Sequence, residues 1–80
     1  MTETSQQILA TISKEDKLSL IDARVRAVKI EKFDAELSII EQNALEVPEE
    51  SVVASANNTI AGATAQITAL EAQYTSIQAE

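Results

Sequence analysis

From Val53 to Ile77 the apolar residues fall alternately three and four positions apart: Val53, Ala56, Ile60, Ala63, Ile67, Leu70, Tyr74 and Ile77. That interval returns to one face of an α-helix and keeps returning for more than three heptads, whereas a half-buried strand would need alternation at every second position. A chain carrying such a stripe must lay it against something apolar. The helix has little strength of its own, because Asn57, Asn58, Thr59, Gly62 and Thr64 sit at its middle, each costing roughly 0.5–1 kcal/mol relative to alanine. Its neighbour, more than its propensity, has to hold it.

The first half of the chain offers that neighbour. Ser13 is a suitable N-cap, and Glu15 and Asp16 place negative charge in the first turn, at the positive end of the helix dipole. Good helix formers continue from there without interruption, which predicts a first helix over 13–46. Before it, Thr4 and Gln7 fit a capping box for a short leading turn within 1–12 that carries Ile8, Leu9 and Ile12. The single proline, Pro48, marks a bend over 47–50. Proline disfavours helical geometry in the residue before it but is welcome at the first position of a new helix, so a second helix is predicted over 51–79.

The fold class is therefore all-α: an antiparallel αα-hairpin of two long helices with coiled-coil-like packing, forming one domain over 1–80. The first helix carries two apolar phases, Leu18, Ile21, Val25 and Val28 in one, and Ile30, Phe33, Leu37, Ile40, Ala44 and Val47 in the other. Leu20, Ala27 and Ile39 widen the surface further, beyond a single seam, which predicts more than one neighbour. Folding the chain back at Pro48 sets Phe33 opposite Ala63, Leu37 opposite Ile60, Ile40 opposite Ala56, Ile30 opposite Ile67 and Ala23 opposite Tyr74. Large meets small at three of these pairs, as interdigitating layers require. The intra-hairpin contact is thus assigned to Ile30, Phe33, Leu37 and Ile40 against Ala56, Ile60, Ala63, Ile67, Leu70, Tyr74 and Ile77. That choice leaves Leu18, Ile21, Val25, Val28 and Ile39 as the candidate surface for an oligomer or a partner.

Composition narrows the chemistry. The 80 residues contain neither cysteine nor histidine, which removes disulfides and the usual ligands of zinc and other transition metals. Catalysis is left with carboxylates, lysines and one tyrosine, and a two-helix hairpin has no deep pocket in which burial could tune them. No catalytic, metal or cofactor-binding residue is expected, and no enzyme. The acid pairs Glu15–Asp16, Glu31 with Asp34, and Glu49–Glu50 read as solvated faces or helix starts. Asn57-Asn58-Thr59 matches a glycosylation sequon, and Phe33 and Tyr74, the two aromatics, fall on apolar stripes.

Net charge is -7, and all six basic residues lie between Lys14 and Lys32. Acidic surface repels phosphate backbones, so nucleic-acid binding is disfavoured; the remaining opening for it is an RNA-binding hairpin dimer using Arg24, Arg26 and Lys29. Residues 1–7 lack the basic cluster and apolar core of a signal peptide, and no stretch reaches the roughly 18 apolar residues needed to span a bilayer. A cytoplasmic location, or one inside an assembled particle, is the expectation.

A chain this short buries too little surface to stand comfortably alone, and without disulfides or metals the support left to it is association. The expected partners are further copies of itself, another protein, or both. The run Ala54–Leu70, rich in Ala, Ser, Thr, Asn and Gln with no charge, resembles helical segments of small bacteriophage virion and tail-assembly proteins. The likeness covers less than a quarter of the chain and implies a structural or assembly subunit. An adaptor or assembly chaperone that masks a partner's helix is the alternative.

Overall fold

A computed structural model describes residues 12–80; the leading-turn prediction, apart from Ile12, lies outside the described residues. Two helices make up the described chain: α1, Lys14–Asn43, and α2, Glu50–Gln78. They pack antiparallel along their length, and no strand occurs among the described residues.

Helix α1 begins where its sequence provides a cap. The Ser13 Oγ accepts the Asp16 N–H at 3.0 Å, and Ser13 itself is extended. Glu15 and Asp16 occupy the first turn, adding favourable charge near the free N–H groups. The other end comes earlier than the sequence reading: α1 stops at Asn43 and not at Glu46. The Ala44 N–H is shared between the Ile40 carbonyl (3.2 Å) and the Glu41 carbonyl (3.3 Å), and Leu45 N–H reaches Gln42 at 3.0 Å. This is the tightening by which a helix satisfies its last carbonyls before leaving helical geometry. Residues 44–49 are needed to reverse the chain, since the geometry forbidden before Pro48 has to be approached over several residues.

Pro48 does not open α2. The N-cap is Glu49, so Pro48 stands one residue before it. The Glu49 side chain makes no capping bond, while its carbonyl accepts from Val52 (3.1 Å) and Val53 (3.2 Å). The Glu49 N–H is instead taken by Gln42 Oε1 at 2.8 Å. A side chain of the last turn of α1 thereby ties the start of α2 to it across the bend.

The face that α1 turns toward α2 runs Leu18, Ile21, Val25, Val28, Lys32, Ala35, Ile39 and Gln42, all buried or half-buried. From α2 the most buried residues are Ala56, Ala63 and Ile77. Branched side chains meet at the open end, where Ile21, Val25 and Ile77 form the core cluster with Leu18, Leu70 and Tyr74 against it. Toward the bend the buried residues are alanines: Ala35, Ala56 and Ala63. Lys14 Nζ donates to the Glu80 carbonyl at 3.3 Å, and Lys17 Nζ lies 3.9 Å from Glu80 Oε1 across the open end. None of the described side chains is fully buried, so the hairpin's core is one layer thick.

Candidate functional site

The apolar surface left over by the hairpin lies on α1, on the side away from α2. Ile30 is 70% exposed, Phe33 59%, Leu37 39% and Ile40 62%, and beyond the helix end Leu45 and Val47 are 52% and 81% exposed. Ile30, Phe33, Leu37 and Ile40 are the residues that the sequence reading turned inward against α2; that assignment is corrected. Conversely Leu18, Ile21, Val25, Val28 and Ile39, read as the free surface, line the contact with α2. On α2, Ala56, Ala63 and Ile77 are buried, and Ile60, Ile67, Leu70 and Tyr74 are half-buried.

Helical geometry explains the exchange of faces. At about 100° per residue, the stripe centred between Ile30 and Phe33 stands roughly 160° around α1 from the one centred between Lys32 and Ala35. One helix cannot show both stripes to the same neighbour. The Ile30 stripe covers only the later half of α1, and facing it inward would set Leu70, Tyr74 and Ile77 against Arg26, Ala23 and Ser19. The Leu18 stripe continues the full length of α1, provided that Lys32, Ala35 and Gln42 are accepted as members. A full-length seam keeps both ends of the hairpin closed, and the long stem of Lys32 can line an apolar contact while its ammonium reaches water. The three-and-four spacing of that seam was present in the sequence, masked by two polar residues and one small one.

The outward stripe has the spacing of a seam in its own right. Ile30, Leu37 and Ala44 recur every seventh residue, as do Phe33, Ile40 and Val47, which is the pattern of a helix-packing surface. Charge flanks it unequally. Arg24, Arg26 and Lys29 are all exposed, but Arg24 lies beside Gln66, Ala69 and Leu70 of α2 and Lys29 beside Glu71 and Tyr74, so that of the three only Arg26, whose Nε bonds Asp22 Oδ2 at 3.1 Å, lies on the outer side. Glu41, Glu46, Glu49 and Glu50 are exposed toward the bend.

Other surfaces are bland. Glu31 and Asp34 edge an open groove of about 560 Å³ beside Ser38, Ser51, Ser55 and Thr59. Among the described residues no group of three or more acids is placed to hold a metal ion, and no helix is long and apolar enough to cross a membrane. Glu71 is the one charge between Ser51 and Ala79. The hydroxyls of Thr64, Thr68 and Thr75 donate to the carbonyls of Ile60, Thr64 and Glu71 at 2.8, 3.0 and 3.1 Å. Those hydroxyls are satisfied within the helix, leaving α2 an outer surface of low charge. No protein-family model matches the chain, and neither a curated protein nor a solved structure matches it.

Proposed function

We propose that this protein is a non-enzymatic structural or assembly subunit that works by helix–helix packing, in an assembly of the kind found in small bacteriophage virions or tails. The observation that carries the reading is the exposed apolar stripe Ile30, Phe33, Leu37 and Ile40 on the outer face of α1, with Leu45 and Val47 exposed just beyond the helix end. Four large apolar side chains aligned on one helix face, continued by two more beyond its end, make a contiguous patch of a few hundred Å², a size that on soluble proteins often marks an interaction site. The thin core supports the same reading, because a hairpin without a fully buried side chain gains much of its stability from whatever covers it.

Folding and association are then linked, and stability rises with concentration. Thermal unfolding followed by circular dichroism over a hundredfold range of protein concentration should show a rising midpoint, and Phe33→Ser should abolish the rise. A midpoint independent of concentration, together with a folded monomer in sedimentation velocity, would show that the stripe packs against nothing in the isolated protein and would set the homo-oligomeric form of the proposal aside. An adaptor that masks another protein's helix would use the same stripe, and it predicts that concentration-independent outcome.

A further inference from the structure

We infer that Lys32 holds the α1–α2 seam to two helices: a charge set in the middle of an apolar contact, it stops one hairpin from merging its core with that of another copy. This goes beyond the proposed packing function and does not depend on what covers the outer stripe. Of the eight residues that α1 turns toward α2, Lys32 is the only one that carries a charge, and it is half-buried. Ile21 and Ile77 share the core cluster, and eleven residues inward from them on each helix Lys32 comes level with Gln66, beside the α2 seam residues Ala63 and Ile67. Among the described residues no acid, not even Glu36 one turn on, lies within ion-pair distance of the Lys32 ammonium, and no side-chain nitrogen or oxygen is buried without a partner. The stem therefore lines the seam while the ammonium stands in water.

Lys32 lies on the side of the seam that would gain most from a further neighbour. Val25, one heptad before Lys32, and Tyr74, one heptad after Ile67, line the same side groove, so Lys32 and Ile67 share that side. Ile60, Ile67 and Tyr74 are only half-buried along it, and no described side chain is fully buried. A second hairpin laid there would complete a four-helix bundle and cover those three side chains. It would also seal the Lys32 ammonium of each copy away from water without an ion-pair partner, and an unpaired buried charge is among the most destabilising features a core can hold. A single polar residue in a coiled-coil seam fixes the number of strands in this way, at some cost in stability.

Three substitutions in the full chain separate charge from apolar surface. Lys32→Met keeps an unbranched stem and removes the charge, Lys32→Arg keeps both, and Lys29→Met adds the same apolar surface at an exposed position outside the seam. All are made together with Phe33→Ser, so that packing through the outer stripe does not contribute. In sedimentation equilibrium Lys32→Met should associate at least about tenfold more tightly than the Phe33→Ser parent, with its helix content retained in circular dichroism, while Lys32→Arg and Lys29→Met associate no more tightly than the parent. A Lys32→Met chain that associates no better than its parent overturns the inference. So does an equal gain from Lys29→Met, which would trace the association to apolar surface alone, or from Lys32→Arg, which would show that the charge restrains nothing. None of these outcomes touches the packing function of the outer stripe, which is read from the Phe33→Ser step and not from Lys32.

Discussion

Isoleucine to alanine at two positions of α1 separates the face that builds the hairpin from the face that is left over. Ile21 is 9% exposed and sits in the cluster with Val25 and Ile77, whereas Ile30 is 70% exposed. Ile21→Ala removes three carbons from an almost dry site at about 0.8 kcal/mol each, and adds a cavity term that a one-layer core can partly relax. Alanine's better helix propensity returns a few tenths of a kcal/mol. The net expectation is a loss of about 2 kcal/mol, or a fall in the unfolding midpoint of roughly 8–16 °C for a domain of this size. Ile30→Ala loses little burial within one hairpin, so propensity dominates and the monomer should be unchanged or slightly firmer. The assay is urea unfolding by circular dichroism, at a concentration where sedimentation shows the monomer. If Ile30→Ala cost 2 kcal/mol there and Ile21→Ala cost nothing, the assignment of faces would be wrong.

Three further substitutions test particular contacts by the same unfolding measurement. Gly62→Ala should raise stability by about 1 kcal/mol, because a Cβ at that position meets no atom within 4 Å and alanine removes a helix-interior glycine penalty; destabilisation would place an unseen close neighbour there. Ala63→Leu should cost about 1–3 kcal/mol, since Ala63 is 4% exposed in the tight half of the hairpin and a larger side chain forces the helices apart; a neutral result would mean slack packing near the bend. Gln42→Ala removes the acceptor of the Glu49 N–H and should cost about 0.5–1.5 kcal/mol, whereas Gln42→Glu, which keeps an acceptor, should retain part of that contribution.

Much of the hairpin was legible from local chemistry. Ser13 with two acids behind it names a helix start whatever the helix later touches, and the cap forms as expected. Pro48 names a break for steric reasons confined to its neighbours, though not the exact residue at which α1 stops or its own place relative to the cap of Glu49. Gln42 carried no such signal. Its value as a partner for the Glu49 N–H exists only once the chain has reversed. The outer stripe was visible as a periodic set from Ile30 to Val47, yet its direction was misread because its large residues, folded back at Pro48, pair plausibly with small ones of α2.

The amino-acid order by itself determined that there are two helices, where they break, which stripe of α2 is apolar, and how the basic and acidic residues are divided along α1. These follow from interactions within a few residues of one another. Only the tertiary structure decided which side of α1 meets α2. Both stripes of α1 satisfy the same local periodicity, and the choice turns on which one can stay in contact from the open end to the bend, a condition that involves both helices over their whole length. That choice directed Ile30, Phe33, Leu37 and Ile40 outward and so created the surface on which the proposed function depends.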